Sequence, residues 1–348
     1  MKKIVTTIAA LAMAVSMFAA DVSAKVQLEG NLLTVKDGAI TALDINKPSA
    51  QHWNPIMKFA FSGDKAGAEF AVFTGDIESV SWNKGFQVAA NRFKLWMSPA
   101  DGLKLIFGLN GFNLNQETIT YSKTGSGVED YGYGINYSNN GFALDFALLP
   151  GWGASWLTKG KDADAVIGKT AAKVEYAADF GKVNAILVAE NTFDALKFGA
   201  GYNNTFGGIN MFFNALGQTN AEGLDALRFE LWLAGAIDAF AWKLFPAFNI
   251  YDMTKESVMD ISLLARADYA LDGVNVYLII GPDAAAQQNY FGNGQGGYFG
   301  LNNDKFNLTV QPGVSGNVGG ASWDVGVKFD ITKAGTAVSV PLILSLGF

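Results

Sequence analysis

Apolar residues occupy every second position in one segment of this chain after another. In the segment 131–137, Tyr131, Tyr133, Ile135 and Tyr137 share one face of an extended strand, whereas two glycines and an asparagine share the other. A strand has a period of two, so each such segment presents one apolar face and one face of small or polar residues. We count about eighteen segments of this kind, and helical periodicity is weak after the first 24 residues.

The N-terminus has the pattern of an export signal. Lys2 and Lys3 precede an apolar run, and Val22-Ser-Ala24 offers small residues for cleavage. We predict a signal peptide at 1–24 and one domain at 25–348, with cleavage after Ala20 as the alternative. Cysteine is absent, which excludes disulfides, thiol catalysis and a lipidated N-terminal cysteine. No later segment has the run of about eighteen apolar residues that a transmembrane helix needs.

Composition and connection lengths narrow the class of fold. Half of the residues are hydrophobic and the formal net charge is −7, so an exported chain of this kind is a poor candidate for nucleic acid. Even-numbered connections between predicted strands are short, whereas the odd-numbered ones include 36–52, 75–85, 112–128, 150–168 and 281–303. Short turns on one side and long loops on the other are typical of membrane barrels. We therefore predict an all-β fold, a transmembrane antiparallel up-and-down β-barrel of about 18 strands, with 16 as the alternative.

The polar face of the predicted strands gives the candidate site. Its charged residues are balanced in sign, and an enclosed water-filled lumen would keep them hydrated. The basic members are Lys58, Arg92, Lys94, Lys104, Lys173, Lys197, Arg228, Lys243, Arg266 and Lys328, and the acidic members are Glu69, Asp145, Glu175, Glu190, Glu230, Asp260, Asp268, Asp324 and Asp330. This balance predicts a lumen with weak ion selectivity. The acidic excess lies in connections, which adds at most a mild cation preference that salt would screen.

The C-terminus completes a resemblance. Alternate residues from Val338 to Leu346 are apolar, and the chain ends on Phe348. The signal peptide, the alternating strands and this terminal Phe348 together resemble Gram-negative outer-membrane porins. The resemblance implies an outer-membrane location, passive diffusion of small hydrophilic solutes, and contact with outer-membrane lipid and lipopolysaccharide. It also implies recognition of Phe348 by the barrel assembly machinery, a homotrimer, and an outer loop folded into the lumen, for which 112–128, 150–168 and 281–303 are candidates.

Two other functions remain open on the sequence. One is a substrate-selective transporter for hydrophobic compounds in which residues 25–52 plug the lumen. The other is a surface adhesin or structural barrel whose loops bind partners. A sugar-specific channel would need a staggered series of inward aromatic residues, and only Trp96 and Trp232 are clearly inward by the alternation.

The sequence gives little indication of a catalytic, metal or cofactor site. His52 is the only histidine, and no serine nucleophile motif accompanies it, so we predict no enzyme. The glycine-rich segment 291–297 lacks the Gly-Lys-Ser/Thr ending of a phosphate loop, and the segment 161–164 is too short for a calcium loop. We therefore predict no metal and no cofactor.

Overall fold

The computed structural model describes residues 21–45, 57–74, 88–118, 123–150, 157–158, 166–167, 169–190, 195–251, 253–254, 258–281 and 307–347. Throughout these ranges the regular elements are β-strands. The same ranges contain no helix that is long and apolar enough to cross a membrane.

The strands follow one another along the chain with few interruptions. They are β1 (Asp21–Lys36), β2 (Ala39–Ile45), β3 (Met57–Ser62), β4 (Ala66–Thr74), β5 (Val88–Ala100), β6 (Leu103–Thr118), β7 (Lys123–Asn139), β8 (Phe142–Leu149), β9 (Leu157–Thr158), β10 (Val166–Ile167), β11 (Lys169–Ala178), β12 (Gly181–Glu190), β13 (Ala195–Phe206), β14 (Ile209–Asn220), β15 (Gly223–Ile237), β16 (Phe240–Tyr251), β17 (Val258–Leu271), β18 (Val274–Gly281), β19 (Asn307–Val318), β20 (Ala321–Gly326), β21 (Lys328–Thr332) and β22 (Gly335–Gly347).

Antiparallel pairing closes these strands into a barrel. Consecutive strands of the main sheet pair with each other, except across the two interruptions between β2 and β3 and between β20 and β21. β8 pairs with β11 across the loop that carries β9 and β10, and β22 returns to pair with β1. β2 and β3 lie along the same edge of β1, and β20 and β21 lie together between β19 and β22, so each couple forms one interrupted wall strand. Counted in this way, the described chain has eighteen antiparallel wall strands, and the predicted fold class is confirmed.

The turns at one end of the barrel are tight, as the sequence predicts. Strands β7 and β8 are joined by Asn140 and Gly141, whose φ angles are 47° and 81°. Two consecutive residues with positive φ form the kind of turn whose twist matches that of an antiparallel hairpin. The corresponding turns between β13 and β14 and between β19 and β20 are Gly-Gly pairs with positive φ. The start of β1 and the end of β22 both lie at this end of the barrel, because the number of described wall strands is even.

The first connection departs from the prediction. Residues 36–52 were expected to form a long outer loop, and this expectation is wrong for 36–45. Asp37 and Gly38 form a tight turn, after which β2 pairs back along β1. Strands β1 and β2 belong to the wall, so residues 25–45 do not plug the lumen, and residues 46–52 lie outside the described residues. The seven residues of β2 were missed because their apolar alternation is too short to stand out.

The start of β1 bears on the predicted cleavage position. Residues Asp21–Ala24 pair with Phe59–Ser62 of β3, although they precede the cut predicted after Ala24. Cleavage after Ala20 would keep these four residue pairs in the mature chain. The position of the cut stays a prediction.

The two faces of the wall differ in burial and composition. In β18 the side chains of Val276, Leu278 and Ile280 are about 40% exposed, whereas the intervening Tyr277 and Ile279 are 2% exposed. The exposed face carries large apolar and aromatic residues on strand after strand, including Phe107, Tyr133, Phe146, Leu187, Phe198, Phe213, Ile261 and Leu344. Soluble monomers rarely expose contiguous apolar surface of this extent, so a face of this composition suits hydrocarbon.

Candidate functional site

A contact across the barrel identifies the inner face. Asn115 of β6 donates from Nδ2 to Oδ1 of Asn214 on β14 at 3.0 Å, and Asn214 Nδ2 donates to the Asn115 carbonyl at 3.1 Å. Five strands separate β6 from β14 along the sheet, so this contact has to cross the interior. Directly paired residues on neighbouring strands project to the same face, and the register therefore extends the assignment around the wall.

The contact is made by the end of the β6–β7 hairpin. The two strands pair from Leu103–Tyr137 to Thr118–Lys123, with a shift in register between Asn113 and Gln116. We call residues 113–118 and 123–128 the arm, and residues 119–122 between them lie outside the described residues. The segment 112–128 was one of three predicted inward loops, and the structure places Asn115 of this segment inside the barrel. The other two, 150–168 and 281–303, lie almost entirely outside the described residues.

Amide side chains hold Asn115 of the arm against β12, β13 and β14. Asn184 Nδ2 donates to Asn115 Oδ1 at 3.0 Å, and Asn115 Nδ2 also contacts the carbonyl of Tyr202 at 3.3 Å. A Cβ atom on Gly201 would lie only 2.5–2.6 Å from amide atoms of Asn115, Asn184 and Asn214. We call Asn184, Gly199, Gly201 and Asn214 the seat of the arm. The missing side chain of Gly201 leaves the space that Asn115 occupies.

A buried ion pair lies beside the seat, on the inner face of the neighbouring strand β15. Asn214 Nδ2 donates to Glu230 Oε2 at 2.9 Å, and Arg228 Nε lies 2.7 Å from Glu230 Oε1. The side chains of Arg228 and Glu230 are 4% and 0% exposed. Burial of two charges is costly unless both are paired and hydrogen-bonded, and Asn214 supplies an additional hydrogen bond to the carboxylate. The arm is thus linked through Asn115 and Asn214 to an ion pair in the wall.

Apolar packing beside the seat fills one side of the interior. Leu114 of the arm belongs to a cluster in which no member is more than 4% exposed. A Cβ on Gly199 would lie 2.7 Å from Cδ1 of Leu114, so this glycine also makes room for the arm. The other members of the cluster are Val128, Ala147, Leu149, Ala171, Ile186, Val188 and Leu216.

Three further ion pairs lie on the inner face with more access to solvent. Each joins a basic residue to an acidic residue two positions later on the same strand, which puts both side chains on one face. The shortest N–O distances are 2.8 Å for Lys173–Glu175, 2.7 Å for Arg266–Asp268 and 3.0 Å for Lys328–Asp330. The Arg228–Glu230 pair has the same spacing. This basic-x-acidic pattern is visible in the sequence, and it would have predicted all four pairs.

Hydrogen bonds extend the charged pairs into a network on β17–β21. Tyr277 donates from its hydroxyl to Asp324 at 2.6 Å, and Gln311 Nε2 contacts that hydroxyl at 3.2 Å. The guanidinium of Arg266 lies over the Tyr277 ring, 4.6 Å from its centroid. Thr309 donates to Asp330 at 2.6 Å. Carboxylates on this part of the wall therefore have neighbours that donate hydrogen bonds.

The arm also brings charge towards this network. Glu117 of the arm interacts electrostatically with Lys243 of β16, which pairs directly with Arg266 in the register of β16 and β17. Glu117 therefore places a carboxylate within electrostatic range of a basic residue on the opposite wall. Asp130 of the same hairpin instead forms an ion pair with Lys169 at 3.5 Å.

The predicted lumen residues fall into three groups. Those on the inner face with partial burial are Glu69, Lys94, Lys104, Asp145, Lys173, Glu175, Lys243, Arg266, Asp268, Asp324, Lys328 and Asp330. Lys197, Arg228 and Glu230 are on the same face but buried, so the expectation that all of these charges are hydrated is wrong for them. Arg228 and Glu230 are enclosed where the arm meets the wall. The side chains of Lys58, Arg92, Glu190 and Asp260 lie outside those described, as do Phe348 and His52.

Sequence reasoning missed most of the inward aromatic residues. The inner face also carries Phe212, Phe245 and Tyr277, which cluster with Trp232 and are each at most 3% exposed. The rings of Phe212 and Trp232 stack at 5.9 Å. The expectation that only Trp96 and Trp232 point inward is therefore wrong. Residues Met211, Phe212 and Phe213 are consecutive large apolar residues, so alternation alone gives no face for Phe212.

The surroundings of Trp96 match its predicted face. Its ring lies 4.6 Å from the ammonium of Lys104, another inner-face residue. Among the described residues, no group of three or more acidic, histidine or cysteine side chains is placed to hold a metal ion.

The fold is similar to solved structures of bacterial outer-membrane proteins. The outer membrane protein OpdK from Pseudomonas aeruginosa matches over 94% of this chain and 99% of its own, with a TM-score of 0.56 and 11% identity. OccK8 (OprE) of the same organism matches over 95% and 98%, with a TM-score of 0.55 and 9% identity. A structure of OpdK with vanillate matches over 94% and 98%, with a TM-score of 0.54 and 12% identity.

No family model and no curated protein matches the sequence. The likeness to solved structures rests on shape over nearly the whole chain, at an identity that establishes the fold alone. The chain therefore has the β-barrel fold of these outer-membrane proteins.

Proposed function

We propose that this chain is an outer-membrane porin that lets small hydrophilic solutes diffuse through a water-filled lumen. The observation that carries the proposal is the contrast between the two faces of a closed wall. Large apolar side chains are exposed on the outside, and paired charges with their hydrogen-bond donors occupy the inside. A barrel of eighteen strands encloses water, and closure of the sheet leaves no unpaired strand edge exposed to lipid.

The inner-face charges are the proposed lining of the passage. Lysine and arginine lie two residues from aspartate or glutamate, so the field of each pair falls off quickly with distance. A lumen lined in this way passes both anions and cations with weak selectivity. The arm narrows the passage at the level of the seat and sets the largest solute that can pass.

The proposed setting is the Gram-negative outer membrane. The apolar outer face contacts lipid and lipopolysaccharide, and Phe348 serves as the signal that the barrel assembly machinery recognises. A homotrimer is the proposed assembly. Transport by diffusion involves no catalytic step, no metal and no cofactor.

Conductance in planar lipid bilayers tests the function. Purified protein, folded into detergent and shown to be a closed barrel by heat-modifiable migration on a gel, is added to one side of the membrane. The proposal predicts stepwise, ohmic current increases of similar size in potassium chloride, and swelling of reconstituted vesicles in small sugars. A correctly folded, membrane-inserted protein that conducts no ions contradicts it.

A further inference from the structure

We infer that the inner wall carries a binding recess for neutral polyhydroxylated solutes, such as small sugars, at the end of the barrel where the tight turns lie. This inference rests on the proposed function, and it adds the class of solute that the passage binds. The polar side chains that line the recess are Asn275, Ser315, Asn317, Ser322, Asp324 and Ser345. We call the space that they line the polar recess.

Two rows of directly paired residues form the polar recess. One row crosses β18, β19 and β20, and the other crosses β19, β20 and β22; their members, in order, are Asn275–Ser315–Asp324 and Asn317–Ser322–Ser345. Directly paired residues project to the same face, which here is the inner face of Tyr277, and neighbouring strands lie about 4.8 Å apart. The rows therefore present six hydrogen-bonding side chains to the lumen at regular spacing.

Short side chains make this part of the wall concave. Serine, asparagine and aspartate reach less far into the lumen than Arg266, Tyr277 and Gln311, which lie on β17, β18 and β19 farther from the turns. The recess has a volume of about 650 Å³. Small-molecule sites typically have volumes of about 300–1,000 Å³, so the recess is large enough for a sugar. Most of its polar side chains are exposed or partly exposed, and a solute in the lumen can reach them.

The polar recess carries little charge. Among its described lining residues Asp324 is the one charged side chain, whereas four basic-x-acidic pairs lie elsewhere on the described inner face. Serine hydroxyls and asparagine amides both donate and accept hydrogen bonds, as the hydroxyls of a sugar do. An anionic solute would instead meet the carboxylate of Asp324 without a described basic lining residue. The lining therefore favours neutral hydroxyl groups over anions.

Neighbouring residues hold the polar groups of the recess in place. Asp324 accepts a hydrogen bond of 2.6 Å from the hydroxyl of Tyr277, which Gln311 Nε2 contacts at 3.2 Å. Asn275 Nδ2 donates to Asp268 at 2.7 Å. A site whose groups are fixed before the ligand arrives loses less conformational entropy on binding. An ionised carboxylate has about four acceptor positions, so Asp324 can bind Tyr277 and a solute hydroxyl at the same time.

Three sugars of one ring size and different charge test the inference: glucose, glucuronate and protonated glucosamine. Binding of each is measured as the reduction of ionic current through the protein in planar bilayers, and by titration calorimetry of the folded protein in detergent. We expect glucose to reduce the current with a saturating concentration dependence, and glucuronate to bind at least about tenfold more weakly.

A current that falls with glucose only as the viscosity of the solution rises, with no heat of binding, would overturn the recess. Saturation by glucosamine without saturation by glucose would assign the recess to an ammonium group and overturn the proposed class of solute. Because calorimetry needs no current, a protein that binds glucose but conducts no ions refutes the porin function and leaves the recess standing.

Substitutions in the two rows test the lining itself. Ser315→Ala combined with Ser322→Ala removes one hydroxyl from each row without adding volume, and the half-saturating concentration of glucose should rise about tenfold. Ser315→Ala alone serves if the double variant does not form a closed barrel. Asn210→Ala removes an exposed amide on the inner face of β14 near its turn, outside the recess, and as the matched control it should leave glucose binding unchanged. Unchanged glucose affinity in a folded serine variant would overturn the role of the rows.

Discussion

The Arg228–Glu230 and Lys328–Asp330 pairs have the same spacing on their strands and opposite surroundings. Both join a basic residue to an acidic residue two positions later on the inner face, with N–O distances of 2.7 and 3.0 Å. Arg228 and Glu230 are 4% and 0% exposed, whereas Lys328 and Asp330 are 14% and 25% exposed. One pair lies beside the seat of the arm on β15, and the other lies on β21, away from the arm.

The difference in exposure shows that the position of each pair relative to the arm, and not its basic-x-acidic spacing, determines whether it supports the fold or remains accessible to water. A buried pair is costly to break, because removal of one partner leaves an unpaired charge away from water. A pair that water can reach contributes little to stability, and its charges remain available to passing ions. The same three-residue pattern therefore supports the fold at one site and shapes the ionic environment at the other.

The largest expected effect is on stability, at the buried pair. Glu230→Ala leaves Arg228 without its partner and Asn214 without its acceptor, so we expect a loss of about 3–5 kcal/mol in the free energy of unfolding. Denaturant titration of the protein in lipid vesicles measures it. Asp330→Ala is the matched control, with an expected loss of about 1–2 kcal/mol, because Thr309 also loses its acceptor. Equal losses in the two variants would show that burial does not determine how much each pair contributes to stability.

A loss of stability of nearly the same size is expected when a charged side chain is placed on the outer face of the wall. Leu278 lies on the exposed apolar face of β18, and Leu278→Arg should cost about 2–4 kcal/mol if that face meets the middle of the bilayer. Ser315→Arg adds the same side chain on the inner face of the neighbouring strand and should cost far less. The same denaturant titration measures the stability of both variants. A greater loss for Ser315→Arg would mean that the inner face, and not the outer face, contacts lipid.

The smallest effect is on ion selectivity. Asp330→Lys should shift the reversal potential in a potassium chloride gradient towards anion preference, while lowering stability by about 1–2 kcal/mol. The shift should shrink as salt rises from about 0.1 to 1 M, because the screening length falls about threefold. Asp101→Lys in the exposed turn between β5 and β6 is the control and should shift the potential less. A salt-independent shift would argue against a direct electrostatic effect.

Alternation and turn chemistry in the sequence were sufficient to predict the wall. Asn140-Gly141 and the Gly207-Gly208 pair indicate tight turns by residue type alone, and each predicted strand between them forms. The first part of the second wall strand, β2, was missed because it is short and its apolar residues are few. Local pattern therefore determines most of this fold, since each strand pairs with its neighbour in sequence.

The interior of the barrel could not be predicted in the same way. Asn115 and Asn214 are 99 residues apart, and nothing local to either indicates that they meet. The seat depends on a shift in register within β6–β7 and on two glycines in β13, which in the sequence resemble any other small inner-face residues. Contacts made across a closed barrel follow from its three-dimensional shape, so they become visible only when the register is known.

Side chains of the wall face lipid and an enclosed aqueous interior at alternate positions along each strand. A fluorophore attached to single cysteines at Asn275, Val276, Leu278 and Ser315, in protein reconstituted into vesicles, tests it with a quencher carried on the lipid chains. We predict strong quenching at positions 276 and 278, and weak quenching at 275 and 315, where a water-soluble quencher should act instead. Equal quenching by the lipid-borne reagent at all four positions would contradict the claim.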